Sequence, residues 1–201
     1  MFLCDGDRIN CLALLGSTAR RYGWTVYAFC LMDTHWHALI RTADQNLALG
    51  MQRLNSSYSR TFNDYHERSG HSIRHRYMSV PVEEGRHLLE LSRYIPLNPV
   101  RGGLASHPED WRWSSYRAEL GLEPRPAWLE TGWLSDLHGS RRAHRRFVAE
   151  GMAEPGAPWT PGSDPTLYPS STGGRNGSSA PGLGVRSRSI SSPSPTATVS
   201  P

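Results

Sequence analysis

Two histidines lie at the start of an apolar run from Trp36 to Ile40: His35 comes directly before the run, and His37 is its second residue. Successive side chains of a β-strand project to opposite faces, so a strand over residues 36–41 would carry both imidazoles on one side. Two imidazoles on one rigid element can bind a divalent metal ion. The same pattern also occurs where two histidines at a sheet edge hydrogen-bond to water or backbone. The pair alone leaves both interpretations open.

Tyr94 and Asn98 form a second group with chemical potential. Residues 82–91 predict a helix with an acidic first turn, and if it continues, Tyr94 and Asn98 share one face because they are four residues apart. The alternative is a half-buried tyrosine and a helix C-cap before Pro99, which these two residues alone favour. Pro96 lies between them, and a proline inside a helix costs about 3 kcal/mol. We therefore expect a bent last turn.

The elements that would position these residues alternate between helical and strand patterns. Apolar residues at helical spacing predict helices over residues 2–22 and 47–65, and β-branched and aromatic residues predict a strand over 24–31. A turn at Asp33-Thr34 would join this strand to the histidine strand as a hairpin. A third strand is predicted over residues 71–80. The order of elements predicts an α+β fold.

Three sequence runs occur in a fixed order: His35-Trp36-His37, the Tyr-Ile-x-x-Asn-Pro-Val-Arg run at 94–101 and the Trp-Ser-Ser-Tyr run at 113–116. With the segments between them, they resemble the HUH single-strand DNA transposases, specifically the REP-associated tyrosine transposases, over roughly the first three quarters of the chain. The resemblance implies a ferredoxin-like antiparallel sheet with helices on one face. It also implies that the family's first, central strand lies ahead of Met1, so we expect a sheet that lacks this strand unless another segment fills its place.

The resemblance implies roles for individual residues. His35, His37 and Asn98 would be metal ligands, Tyr94 the nucleophile, and the cofactor Mg²⁺ or Mn²⁺. Three neutral ligands leave the charge of the metal uncompensated, which makes it a strong Lewis acid toward phosphate oxygen. Attack by Tyr94 on single-stranded, hairpin-bearing DNA would give a 5′-phosphotyrosine and a free 3′ hydroxyl, a strand transfer that serves DNA transposition.

Two other functions remain open from the sequence. An inactive, truncated transposase remnant would only bind nucleic acid, and a metal-dependent nuclease would use water as nucleophile with Tyr94 in a structural role. The family includes arrangements with the tyrosine supplied within one chain or between subunits, so monomer and homodimer are both compatible with the sequence.

The charge balance favours a nucleic-acid partner. The formal net charge is +4, and all 22 basic residues are arginines, whose planar guanidinium suits phosphate contact and base stacking. Residues 140–148 form a basic amphipathic helix whose Phe147 and Val148 would dock on the domain. For Arg74 and Arg76 on the third predicted strand, a solvated outer face is an equal alternative to DNA contact. The candidate DNA-binding residues are Arg74, Arg76, Arg101, Arg141, Arg142, Arg145 and Arg146.

The sequence divides into three segments. Residues 1–121 would form the catalytic domain and residues 122–153 a basic helical extension, while residues 154–201 are rich in Pro, Gly and Ser and predict a disordered tail. Trp111, Trp113 and Tyr116 are expected to pack against the sheet. Three scattered cysteines, no long apolar run and no signal sequence predict reduced thiols in a cytoplasmic protein that does not enter a membrane.

Overall fold

A computed structural model of the chain describes residues 1–70, 73, 77–82, 85–153 and 196–200. Helices and strands are interspersed along the described part, and the predicted α+β class is confirmed. In chain order the elements are α1 (Asp5–Tyr22), β1 (Trp24–Leu31), β2 (Trp36–Thr42), α2 (Leu47–Tyr65), β3 (Met78–Pro81), α3 (Arg86–Arg101), a short 3₁₀ helix (Pro108–Asp110), α4 (Tyr116–Leu120), α5 (Trp133–His138), α6 (Arg141–Glu150) and β4 (Thr196–Ser200).

The predicted hairpin is present. Strands β1 and β2 pair antiparallel from Trp24 opposite Thr42 to Leu31 opposite Trp36, with a bulge between Val26 and Ala28. The backbone N–H of Met32 donates to the carbonyl of His35 and closes the connection at 2.8 Å. The hairpin thus fixes the start of β2, where the two histidines lie.

Helices cover both faces of this hairpin. Trp36, Ala38 and Ile40 of β2 belong to a core shared with α1 and α2. Leu39 belongs to a second core shared with α3. The reason is that β1 and β2 are apolar on both sides, and an apolar sheet face must be covered. The side chain of His37 lies on the same face of β2 as that of Leu39, and therefore faces α3.

The interior of the sheet contains a strand from the far end of the sequence. The strand order is β1-β2-β4-β3, and β4 pairs antiparallel with both neighbours: Val199 lies opposite His37 on one side and opposite Met78 on the other. The sequence left open whether another segment takes the place of the family's first strand, and β4 occupies an interior position of this kind. Residues 154–195 and 201 lie outside the described part, so the disordered tail over 154–201 stays a prediction.

Helix α3 continues through two prolines. It runs unbroken from Arg86 to Arg101 with Pro96 and Pro99 inside it, so the end of the predicted helix is not lost. The missing N–H of Pro99 is compensated because the side-chain amide of Asn98 donates to the carbonyls of Tyr94 at 2.9 Å and Ile95 at 3.4 Å. The acidic first turn predicted ahead of this helix falls on residues 83 and 84, which lie outside the described part.

The residues after α3 fold back onto it. Trp113 and Tyr116 are buried, and the indole N–H of Trp111 donates to the carbonyl of Leu31 at 2.9 Å, so the predicted packing role of these aromatics is confirmed. Helix α6 packs on α3 through Val148, which is fully buried with Leu97.

Two further expectations concern the rest of the described chain. Of the strand predicted over residues 71–80, the structure has Met78–Pro81 as β3, and residues 71, 72 and 74–76 lie outside the described part. No helix among the described residues is long and apolar enough to cross a membrane.

Candidate active site

The imidazoles of His35 and His37 face each other. Their Nε2 atoms lie 3.1 Å apart, and the rings meet edge to face with centroids 4.8 Å apart. The prediction that both side chains project to the same side is therefore confirmed. His35 precedes the first residue of β2 and is half-buried, whereas His37 lies within the strand and is buried.

Both imidazoles are held in the neutral form. Burial lowers the pKa of His37 to about 3, and the neighbouring His35 adds to this effect. Burial also lowers the pKa of His35. Two neutral rings with their Nε2 atoms together offer lone pairs rather than positive charge. This is the state in which histidine binds a metal ion.

Thr34 contacts the histidine pair, and the sequence did not single it out. Its hydroxyl oxygen lies 3.1 Å from Nδ1 of His35. If Nδ1 carries the proton and donates to Thr34, the lone pair of His35 is on Nε2, the atom that faces His37. A hydroxyl residue directly before the first histidine was the available signal.

Tyr94 reaches this pair from α3. Its ring lies edge-on to that of His37, with centroids 5.7 Å apart and an interplanar angle of 89°. Asn98 lies one turn further along the same helix, is buried, and uses its amide N–H groups on the helix carbonyls. Its Oδ1 is then the atom left to take a ligand. The structure thus brings Tyr94 to the histidines and places Asn98 next to it on α3.

A positive charge lies beside the tyrosine. The guanidinium carbon of Arg101 is 5.7 Å from the centroid of the Tyr94 ring. A cation in this position attracts anions and stabilises negative charge on a phenol oxygen. Among the predicted DNA-binding residues that the structure describes, Arg101 is the one with a described contact to a residue of the candidate site, Tyr94.

The chain matches a family model described as "Transposase IS200 like" over residues 2–98. This region contains both histidines, Tyr94 and Asn98. The protein belongs to the IS200-like transposase family. No curated protein and no solved structure gives a significant match to the chain. The activity of the family is DNA transposition, so this transposase has DNA as its partner.

The histidine pair of the transposase fits a six-coordinate divalent ion. Mg²⁺ holds its ligands at about 2.1 Å in an octahedron, which places adjacent ligand atoms about 3 Å apart. The Nε2 atoms of His35 and His37 have this separation. Buried Nδ1 of His37 has no hydrogen-bond partner among the described residues, and this nitrogen carries the proton whenever Nε2 is a ligand. The two histidines, with the carboxamide oxygen of Asn98, could hold such an ion.

No described contact joins the four predicted arginines of α6 to this pair. Arg141, Arg142, Arg145 and Arg146 are exposed on α6, where Arg145 forms a two-pronged contact with Glu109 at 2.8 and 3.1 Å. Arg146 lies 3.7 Å from Glu150. Arg74 and Arg76 lie outside the described residues. The α6 arginines form an exposed basic face on a helix that packs against α3.

Proposed function

We propose that the transposase cleaves and rejoins single-stranded DNA through Tyr94, with Mg²⁺ or Mn²⁺ held by His35, His37 and Asn98. The observation that carries the proposal is the edge-on contact of the Tyr94 ring with His37, whose Nε2 is 3.1 Å from that of His35. A nucleophile and a ligand pair from two different elements meet at one place. The contact lies within one chain, so the proposal uses a tyrosine supplied in cis.

The step transfers a phosphoryl group and needs no water. The Tyr94 hydroxyl oxygen bonds to the phosphorus and loses its proton, while the bond from phosphorus to the 3′ oxygen breaks and that oxygen leaves as a hydroxyl. The DNA on the 5′-phosphate side is then esterified to Tyr94. Because the phosphodiester is replaced by another phosphate ester, attack by a 3′ hydroxyl on this ester rejoins a strand.

The residues around Tyr94 supply what a phenol lacks. A free phenol has a pKa near about 10 and is a weak nucleophile until it is deprotonated. The bound ion would polarise a phosphate oxygen as a Lewis acid. Arg101 beside the ring would stabilise the phenolate and the phosphate that approaches it. Because the histidine ligands are neutral, they would not reduce the positive charge that the ion presents to the phosphate.

The test is covalent capture. The transposase is incubated with a single-stranded, hairpin-bearing oligonucleotide labelled at its 3′ end and Mn²⁺, and the products are separated in SDS. We expect an SDS-resistant adduct that retains the label, because the 3′ part of the cut strand carries the 5′-phosphotyrosine. EDTA and Tyr94→Phe should each abolish the adduct.

The matched control is Tyr65→Phe, because Tyr65 is a tyrosine with 72% of its surface exposed at the end of α2. It should form the adduct at the rate of the unmodified chain. An adduct that persists in Tyr94→Phe and disappears in another tyrosine variant would transfer the nucleophile role to that residue.

DNA binding without cleavage is a second candidate, favoured by the exposed arginines of α6. In that case the oligonucleotide is retained in a gel shift, no adduct forms, and His35→Ala changes nothing. Cleaved products that carry no protein would instead indicate a nuclease that uses water, with Tyr94 in a structural role.

A further inference from the structure

A second group of metal-ligating side chains lies away from the histidine pair. Cys4 stands just before α1, Asp7 in its first turn and His66 just after α2. The thiol sulfur, a carboxylate oxygen and a ring nitrogen of these residues lie within 4.8 Å of one another. The three residues lie at the adjoining ends of two helices, α1 and α2, that pack side by side.

The carboxylate of Asp7 is oriented for this position. Its Oδ2 accepts the backbone N–H groups of Leu3 at 2.7 Å and Cys4 at 3.0 Å. Its Oδ1 faces Nε2 of His66 at 2.8 Å. Burial opposes ionisation, but the hydrogen bonds from His66, Leu3 and Cys4 outweigh it and lower the pKa of Asp7. The Asp7 carboxylate is therefore an anion. Backbone N–H groups fix its Oδ2, while Oδ1 faces the other ligand atoms, as in many metal sites.

The ring of His66 is also held in place. It packs against Phe62 with centroids 4.5 Å apart and meets Tyr65 edge-on at 4.9 Å. Its side chain is 16% exposed, and Cys4 is half-buried. The group is thus set into the surface with access for an ion and for a water molecule as a fourth ligand. The start of α1 places the positive end of the helix dipole next to the group.

We infer that Cys4, Asp7 and His66 bind a zinc ion that joins the start of α1 to the end of α2. A set of one sulfur, one nitrogen and one oxygen suits Zn²⁺, in contrast to the nitrogen and oxygen atoms around Tyr94. Tetrahedral zinc places its ligand atoms roughly 3.4–3.7 Å apart. The ion would replace the hydrogen bond between Asp7 and His66, and the oxygen and nitrogen atoms would separate from 2.8 Å to roughly 3.4 Å.

The test uses Co²⁺ as a spectroscopic substitute for zinc in the full chain, whose reduced cysteines are Cys4, Cys11 and Cys30. Bound thiolate gives an intense sulfur-to-cobalt charge-transfer band, which the histidine pair cannot produce. We expect this band, its displacement by one equivalent of Zn²⁺, and a rise of the unfolding temperature on addition of Zn²⁺. Cys4→Ser should lose the band.

Cys11→Ser is the matched control, because burial raises the pKa of the Cys11 thiol to about 12 and keeps that thiol from binding a metal. It should keep the band. His66→Gln should weaken Zn²⁺ binding by at least about tenfold and provides a second variant if Cys4→Ser does not fold. The absence of a band in the unmodified chain, or its persistence in Cys4→Ser, would overturn the inference.

This experiment is independent of DNA cleavage. The variants His35→Ala and Tyr94→Phe should retain the charge-transfer band, whether or not the proposed strand transfer takes place.

Discussion

Oε2 of Glu119 lies 3.2 Å from Nε2 of His144, and both side chains are almost completely buried. The second carboxylate oxygen accepts the hydroxyl of Ser115 at 2.5 Å, and that hydroxyl oxygen accepts the backbone N–H of Phe29. One carboxylate therefore links α6 to β1. The C-terminal helices depend on the hairpin that carries the histidines.

Glu119→Gln should destabilise the fold strongly. The amide replaces one carboxylate oxygen by an N–H group and breaks one of two buried contacts, and a buried polar group left without its partner typically costs about 1–3 kcal/mol. We expect a loss of free energy of unfolding in this range, measured by urea denaturation at pH 7. Glu123→Gln is the control, since the contact of Glu123 with Arg117 is about one third exposed on each side and should contribute at most about 1 kcal/mol. Equal losses in the two variants would contradict the linking role of Glu119.

His138 should make stability depend on pH. Burial and the nearby His144 lower its pKa from 6.5 to about 4, and its Nε2 lies 2.9 Å from the hydroxyl of Ser92 on α3. Between pH 6.5 and 4 the unfolded chain binds more protons at this residue than the folded chain. Stability should therefore fall as the pH decreases through this window.

The measurement is the urea midpoint at pH 7, 6 and 5, compared with that of His138→Gln. The variant should show a shallower decline, because its side chain does not titrate, while the buried His37 preserves part of the slope. An unchanged slope in His138→Gln would show that His138 does not contribute.

Arg101→Gln should slow formation of the adduct with DNA. The guanidinium is 5.7 Å from the Tyr94 ring, and loss of a charge that stabilises a transition state typically costs about 100-fold or more in rate. The rate is measured with saturating oligonucleotide in Mn²⁺. Arg142→Gln is the control, because Arg142 is exposed on α6, and it should weaken DNA binding in a salt-dependent way without changing the saturated rate. Equal saturated rates for Arg101→Gln and the unmodified chain would exclude this role for Arg101.

Gly50→Ala should destabilise the chain although alanine is the better helix former. A methyl group at Gly50 would clash with the indole of Trp24, whose N–H donates to Asn46 at 2.8 Å. Overpacking typically costs about 1–3 kcal/mol, which exceeds the gain in helix propensity of about 1 kcal/mol. Thermal unfolding measures the difference. Leu49→Ala, at an exposed position of the same helix, should be nearly neutral, and a stabilised Gly50→Ala would show that Trp24 moves aside freely.

The sequence allowed the hairpin and its histidines to be predicted because their signal is local. Alternation along β2 determines which residues share a side, so the approach of His35 to His37 follows from their spacing. The placement of Tyr94 and Asn98 one turn apart follows in the same way from their four-residue spacing on α3. Contacts within one element are determined by nearby residues.

The features that were not predicted depend on residues far apart in the chain. Composition alone disfavours an ordered segment at residues 196–200, yet the backbone of β4 gains hydrogen bonds on both sides from β2 and β3. Helix α3 packs on one face of β2, and α1 and α2 pack on the other. This arrangement depends on contacts between residues far apart in the chain. Four elements, α1 to α2, lie between Cys4 and His66 in the sequence, so no local pattern indicates their proximity.

The pairing of β4 with β2 has a consequence for the order in which the molecule folds. His37 lies opposite Val199, so the strand of the histidines acquires its second neighbour only after the ribosome has added nearly all of the residues between them. Until then one edge of β2 offers unpaired backbone groups to any extended peptide nearby. Closure of so long a loop is slow compared with formation of the hairpin. The nascent chain therefore passes through a state in which the site residues exist but the sheet that holds them is open.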